Sequence, residues 1–181
     1  MANIPNPIDE YKRRLGQGAK LNLYNVTLTF PTALGVDPDL EDEFSILCDK
    51  ATFPKPRNIE MIEVPVQGEF YKLAGNKANV EDLNFSFRND PDHRLRDIFE
   101  AWLQLIQTDR VGIRTNFANH VANIQIAQLN EFRDETKKIE VVSAWPNAIT
   151  EGIEFDNTNG TEISLTNVTI AYDFHRFISV S

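Results

Sequence analysis

Histidine, cysteine and paired carboxylates are the side chains here that could bind a metal or catalyse a reaction, but their spacing suits neither task. His93, His120 and His175 have no second histidine or cysteine at the short spacing that a zinc site requires. Cys48 is the only cysteine, so the chain can form neither an internal disulfide nor a cluster of thiolate ligands. We expect Cys48 to act as a small apolar core residue. The sequence therefore predicts no metal site and no cofactor.

Other motifs that could bind a ligand or catalyse are incomplete. Residues 16–18 read Gly-Gln-Gly, but no strand precedes them and the third glycine of a phosphate loop is missing. Residues 157–160 imitate the middle of a calcium loop, yet the end positions are Phe155 and Thr166 rather than carboxylates, so we predict a turn with Gly160. Adjacent acids such as Glu81 and Asp82 are expected by chance among 27 acidic residues. We predict that the chain is not an enzyme.

The charge balance points away from nucleic-acid binding. The chain has 181 residues, of which 27 are acidic and 18 basic, giving a formal net charge of −9. Such a protein repels phosphate, so tight binding of DNA or RNA is not expected. A wall past which DNA slides would have this charge, and so would an ordinary acidic protein. No apolar stretch approaches the roughly 18 residues of a membrane helix, and no signal peptide is recognisable. We expect no insertion into a membrane. We expect the chain to fold in a reducing cytoplasm.

Alternation of apolar and polar residues predicts strands along most of the chain. Residues 1–20 are expected to form an N-terminal arm, with a short helix over residues 9–15, and residues 21–181 a single domain. In the first strand an apolar side alternates with a polar one. Residues 31–43 are rich in acids and are predicted to be a loop, followed by a strand over residues 44–47.

More strands are predicted downstream, over residues 59–67, 69–73, 80–88, 121–129, 138–145, 149–155 and 163–174. The first two form a hairpin around Gly68, and Pro65 places its strand at an edge or a bulge. The alternation in the last strand changes phase near residues 166–167, which predicts a bulge or a change of sheet. Gly75 is expected at a turn that a Cβ would disfavour, and Pro146 at the turn closing its strand.

One amphipathic helix is predicted near the middle of the chain. Asp90 suits the N-cap, and Pro91 suits the first helical position, where no N–H donor is needed. Apolar residues then recur at helical spacing, and the helix should end by Thr108 or Asp109. We predict a mainly β fold of two packed antiparallel sheets, a sandwich or half-barrel, with this helix against them. The predicted core residues are Leu83, Phe85, Phe87, Leu95, Phe99, Trp102, Ile106, Trp145, Ile170 and Tyr172.

Two stretches resemble the tail tube proteins of contractile-tailed bacteriophages. The first runs from residue 69 to residue 102: EFYKLAGN is followed by VEDLNFSFRND and then by the amphipathic helix that ends near FEAW. The second begins with AWPNAI at residue 144 and closes on VTIAYDF at residue 174. The N-terminal arm and the acidic loop match no motif of that family, and the chain continues past Phe174 as His-Arg-Phe-Ile.

This resemblance implies a structural role. Members of the family form hexameric rings whose sheets join across subunits into an inner barrel, and the rings stack head to tail. The tail sheath protein surrounds such a tube, baseplate and tail terminator proteins contact it, and the tape measure protein and then DNA occupy its lumen. The expected location is the virion tail, assembled in the bacterial host cytoplasm. We predict Glu60, Glu63, Asp82 and Glu140 as candidates for lumen-facing residues.

Several alternatives remain open from the sequence. The same fold could form the tube of a related contractile injection system, a baseplate tube-initiator or a tube-completion protein. A monomeric acidic β-sandwich that binds a ligand, and a hydrolase that uses paired carboxylates, are hypotheses of other classes. The tube hypothesis is the one in which free strand edges have a purpose, because a closed ring pairs each edge with the next subunit.

Overall fold

The computed structural model describes residues 19–107, 116–150 and 163–179, together with Ile8. Strands dominate these segments, and two α-helices and two short 3₁₀ turns accompany them. The helices are α1 (Pro38–Leu47) and α2 (Arg94–Ile106). The strands are β1 (Tyr24–Thr29), β2 (Cys48–Ala51), β3 (Ile59–Val66), β4 (Glu69–Lys77), β5 (Leu83–Arg88), β6 (Ala122–Leu129), β7 (Glu135–Ile149), β8 (Leu165–Ala171) and β9 (Phe174–Ile178).

The long strand β7 belongs to two antiparallel sheets. Its first part lies between β6 and β9, and β1 pairs with the other side of β6; we call these strands the first sheet. From Trp145 onward β7 pairs with β8, which continues through β5 to β2; these strands form the second sheet. Ser143 has a positive φ of 57° just before this change of partner. The predicted mainly β fold with two antiparallel sheets and one main helix is confirmed.

A single apolar core joins both sheets to α2. Phe99 and Trp102 stack with ring centroids 6.1 Å apart, and Phe30 packs edge-on against both. The indole N–H of Trp102 donates to the carbonyl of His120 at 2.6 Å, which satisfies the buried polar atom. Of the predicted core residues, Ile106 and Trp145 are partly buried at the margin of the core. The others are buried: Leu83, Phe85, Phe87, Leu95, Phe99, Trp102, Ile170 and Tyr172.

The main helix begins later than the sequence indicates. His93, with a φ of 53°, is the N-cap, while Pro91 lies in the preceding turn. The Asp90 carboxylate still caps the helix, because it accepts the backbone N–H of Arg94 at 2.9 Å and pairs with the Arg94 guanidinium at 2.6 Å. Burial would raise the pKa of Asp90, but the bonds and charge of Arg94 outweigh it and lower that pKa.

The acidic segment is a helix, so the predictions of a loop over residues 31–43 and a strand over residues 44–47 are wrong. Pro38 begins α1 at the position where proline is tolerated, and Phe44 is buried on its inner side. Acids in a first turn face the positive end of the helix dipole. Two of the acids also find partners: Glu41 accepts the N–H of Phe30 at 3.0 Å, and Glu43 pairs with Arg94 at 2.9 Å.

Gly75 and Pro146 lie inside strands rather than at turns. Gly75 is in β4, where the pairing with β3 shifts register between Ile59 and Met61. A Cβ on Gly75 would lie 2.9 Å from the backbone oxygen of Glu60, so close approach of two backbones explains the glycine. Pro146 lies in β7 at another register shift, which is where a strand tolerates proline.

The predicted phase change near residues 166–167 is also wrong. The pairing of β8 with β5 is unbroken from Leu165 to Ile170. Thr166 simply takes a core-facing position as a polar residue and donates its hydroxyl to Asn89 at 2.7 Å. The change of sheet comes later, between β8 and β9. Three predicted features lie outside the described residues: Gly160, most of the N-terminal arm, and residues 151–155 of the strand predicted over residues 149–155.

Candidate assembly surface

Strands β3 and β4 form a hairpin that stands apart from both sheets. Within the described residues these two strands pair only with each other. Gln67 and Gly68 connect them with positive φ values of 51° and 88°, as the tight turns of two-residue hairpins require. A lone two-stranded hairpin is marginally stable in water. We therefore expect this hairpin to be only marginally stable while it is uncovered.

The hairpin has one apolar and one mixed side. In the antiparallel register, Val64 lies opposite Tyr71 and Ile62 opposite Leu73, while Glu63 lies opposite Lys72. Directly opposed residues share a side, and neighbours along a strand alternate. We call one side the hairpin apolar face; its apolar residues are Ile62, Val64, Val66, Tyr71 and Leu73, and Glu69 lies at its end beside the turn.

The hairpin apolar face is largely in contact with solvent. Leu73 is 55% exposed, Tyr71 53% and Ile62 51%. Fully burying one side chain of this size contributes about 1.5–3 kcal/mol. Covering the whole face would therefore stabilise a complex by several kcal/mol, which is typical of an interface rather than of a free surface.

Strand β9 presents a second uncovered surface. It pairs with β7 along one edge, and no strand of the described residues pairs with its other edge. Phe177 of this strand is 64% exposed, and the ammonium of Lys137 lies 5.1 Å from its ring centroid. Within the described residues, the edge therefore combines backbone groups that no strand pairs with and an exposed aromatic side chain.

The first sheet carries a polar row on its outward side. Thr27, Gln125, Glu140 and Arg176 are directly opposed from strand to strand across the sheet. Glu140 is only 9% exposed and forms an ion pair with Arg176. Beside this row opens a groove of about 500 Å³ that Thr29, Asn123 and the loops before β6 and after β1 also line.

The structure does not bring the four predicted lumen-facing residues together. Glu60 and Glu63 are exposed on the hairpin, but their spacing along β3 puts them on opposite sides. Asp82 precedes β5 and accepts from the side-chain amide of Asn147 at 3.2 Å. Glu140 alone lies in the first sheet, largely buried and paired. The facing of all four toward a lumen stays a prediction.

The potentially reactive side chains are arranged as structural groups. Burial raises the pKa of the Cys48 thiol to about 12, so it stays protonated. His120 is buried with its Nδ1 3.1 Å from the carbonyl of Asn116, and burial lowers the pKa of His175. No three His, Cys, Asp or Glu residues of the described segments lie close enough to hold a metal ion. None of the helices described is long and apolar enough to cross a membrane.

The sequence profile of the phage tail tube proteins matches residues 19–179. This chain belongs to that family. The tail tube resemblance noted in the sequence is confirmed, and membership implies a structural rather than a catalytic role. No curated protein sequence matches the chain.

Solved structures of tail tube type share the fold. The sheath–tube complex of an extracellular contractile injection system, PVC, contains a chain of 16% identity with a TM-score of 0.64; the match covers 94% of this chain and 97% of that one. A chain of the anti-feeding prophage baseplate has 19% identity and a TM-score of 0.63, covering 90% of this chain and 96% of that one. The chain is thus a tail tube protein of a phage or a contractile injection system.

The sequence indicated only one of the two exposed apolar surfaces. The alternation of Ile62, Val64 and Val66 is plain in the sequence, but no local signal shows that they stay exposed among the described residues. Phe177 belongs to the His-Arg-Phe-Ile ending that matched no motif of the family, so nothing in the sequence marked it as a surface residue. Its exposure depends on the position of β9 at a sheet edge, which only the pairing of distant strands reveals.

Proposed function

We propose that this chain is the repeating subunit of a tail tube, in which copies close into hexameric rings and the rings stack head to tail. Family membership and the shared fold support the proposal. The observation that carries it is the hairpin apolar face, which is uncovered within the described residues. A second copy of the chain would cover it in every subunit of a closed ring.

The outward side of the first sheet suits the wall of the bore. In its polar row the one cation, Arg176, is already paired with Glu140. Such a row offers no free positive charge to hold a phosphate, and the net charge of −9 repels DNA. The tape measure protein and then DNA would therefore pass without sticking. Of the four predicted lumen residues we propose that Glu63 and Glu140 face the bore. Glu63 lies on the side of the hairpin opposite its apolar face, and Glu140 lines the groove beside the polar row. Glu60 shares the side of the hairpin apolar face.

The partners follow from a position inside a tail. We propose contacts with the tail sheath protein on the outside and with baseplate and terminator proteins at the two ends. The related chains come from a sheath–tube complex, a baseplate and a sheath/tube terminator, which supports this assignment. The chain would be located in the tail of the particle, after assembly in the bacterial host cytoplasm.

Electron microscopy of the purified protein, with sedimentation over a range of concentrations, tests the proposal. We expect rings at moderate concentration and stacked rings or tubes at high concentration. A single monomeric species at every concentration would contradict it and would favour a free-standing β-sandwich instead. Tubes that form only on an added baseplate preparation would assign the chain to the tube while placing the nucleation step in another protein.

A phage tube and the tube of another injection particle differ in cargo. The family profile is that of phage tail tubes, whereas the structural relatives include an injection system and an anti-feeding prophage. We propose the phage tube as the primary function because of the profile match. Particles that contain this chain and package DNA would support a phage tube. Particles that contain this chain in a tail but have no capsid would favour the tube of another injection system.

A further inference from the structure

We infer that strand β4 of one copy adds to the free edge of β9 of the next copy, so that the first sheet continues from subunit to subunit. This inference rests on the proposed function and names the surfaces that meet. The hairpin is the donor surface and the β9 edge is the acceptor. Because the two surfaces differ, the contact repeats head to tail and either closes into a ring or grows into a filament.

Strand β9 is the acceptor because the other exposed edges of the two sheets are blocked. The segment that contains α1 lies along β1, where Ser45 donates to the side chain of Asn25 and Glu41 accepts the N–H of Phe30. Strand β2 spans only Cys48–Ala51. The last part of β7 carries Pro146, which has no N–H to donate. Within the described residues no strand pairs with the outer edge of β9, and β9 itself contains no proline.

Strand β4 is the donor because of its backbone chemistry. Its residues all carry an N–H, whereas Pro65 interrupts the donors of β3. Strand addition relies on a continuous row of main-chain hydrogen bonds. The outer position of β3 then leaves a proline-bearing edge exposed, which is how sheets discourage further pairing.

The rows of the first sheet show how the two sides would match. Val26, Ile126, Ile139 and Phe177 are directly opposed across the sheet, from β1 to β9. The first three are at most 2% exposed, but Phe177 is 64% exposed, so this apolar row loses its cover at the free edge.

A strand added at that edge would extend both sides of the sheet. Tyr71 and Leu73 would continue the apolar row beyond Phe177. Lys72, on the other side of β4, would continue the polar row that ends at Arg176, and it would bring Glu63 of β3, directly opposite it, to offset its charge. In this orientation Tyr71 and Leu73 adjoin Phe177, whereas a strand turned over would place Lys72 and Phe70 on the side of Phe177 and Leu73 on the side of Arg176.

The hairpin starts in the right place and is long enough. The guanidinium of Arg57, just before β3, donates to the carbonyl of Asp173, just before β9. Beyond this base the two hairpin strands pair with no strand of either sheet within the described residues. The nine residues of β4 span roughly 30 Å at about 3.3 Å per residue, which is enough to reach an adjoining copy.

Cross-linking between two differently labelled chains tests the inference. Chains with Leu73→Cys are mixed with chains of a different tag length that carry Phe177→Cys, and a short bismaleimide is added after assembly. We expect the monomer bands to shift to a heterodimer that holds one chain of each kind. The matched control replaces Leu73→Cys by Lys72→Cys, the neighbour on the opposite side of β4, and should leave the bands largely monomeric. The native Cys48 is buried with a raised pKa, so the wild-type chain should not react.

The outcomes separate the inference from the proposed function. Rings or tubes in the micrographs without the heterodimer would overturn the pairing of β4 with β9 and leave the tube proposal intact. Equal cross-linking of Lys72→Cys and Leu73→Cys would overturn the predicted orientation of the strand. If the wild-type chain forms no assembly at all, the tube proposal fails and the inference fails with it. A heterodimer from Leu73→Cys alone supports both.

Discussion

The core around α2 and the β3–β4 hairpin contain similar residues in opposite situations. Trp102 and Phe99 are fully buried, and the Trp102 indole has its hydrogen bond within the chain. Tyr71 and Leu73 are more than half exposed, and their strands pair only with each other among the described residues. Within the described residues, the chain covers the first region with its own side chains and leaves the second exposed. Apolar composition alone therefore does not distinguish a core from an interface; what distinguishes them is whether the same chain supplies the cover.

The largest expected effect on monomer stability comes from the core. Trp102→Ala removes a fully buried indole and leaves a cavity, so the free energy of unfolding should fall by about 3–5 kcal/mol. Urea unfolding at low protein concentration measures this. Phe132→Ala is the control, because Phe132 is 85% exposed, and it should change stability by less than about 0.5 kcal/mol. Equal losses in the two variants would contradict the assignment of the core.

The next effect concerns assembly rather than folding. Leu73→Gln places an amide on the hairpin apolar face, and we expect rings and tubes to be lost while the unfolding free energy of the monomer changes by less than about 0.5 kcal/mol. Lys72→Gln introduces the same side chain at the adjacent position on the other side and should still assemble. Sedimentation and electron microscopy compare the two. Assembly of both variants would show that the hairpin apolar face is not an interface.

A backbone change in the hairpin should have a local effect. Gly75→Ala adds a Cβ that would lie 2.9 Å from the backbone oxygen of Glu60, so the strands must separate there. We expect the amides of β3 and β4 to lose protection from hydrogen exchange, while those of β5 and β6 keep it. A loss of protection that extends to the sheets would mean that the hairpin and the core unfold together. The test therefore measures how independent the two regions are.

The smallest effect is expected at the start of α2. Asp90→Ala removes a capping carboxylate and should cost about 0.5–1 kcal/mol at neutral pH. Arg94 lowers the pKa of Asp90 in the folded state, so its contribution is present above the unfolded-state pKa and is lost as the pH falls through the folded-state value. Urea unfolding at several pH values should show the two proteins converge in acid. Asp92→Ala, an exposed neighbour, is the control; an unchanged gap in acid would contradict this role of Asp90.

Sequence reasoning succeeded where the signal is local and repeated. The spacing of Leu95, Phe99 and Trp102 marks one side of a helix whatever surrounds it, so the helix and its core side were predictable. It failed for α1, because a run of acids is typical of loops as well as of first helical turns that find cationic and backbone partners. Gly75 was misassigned for a related reason: a glycine required by close backbone approach and one required by a turn look the same in sequence.

The amino-acid sequence by itself determined the alternating strands, the amphipathic helix, the acidic charge and the absence of a recognisable catalytic motif. Only the tertiary structure decided which apolar side is covered and which is not. Val26 and Phe177 end the same apolar row on the two edge strands β1 and β9, yet Val26 is buried and Phe177 is exposed, because the segment that contains α1 lies along β1 while no described strand pairs with the outer edge of β9. Strand order arises from contacts between residues far apart in the chain, so no local pattern encodes which strand is left at an edge.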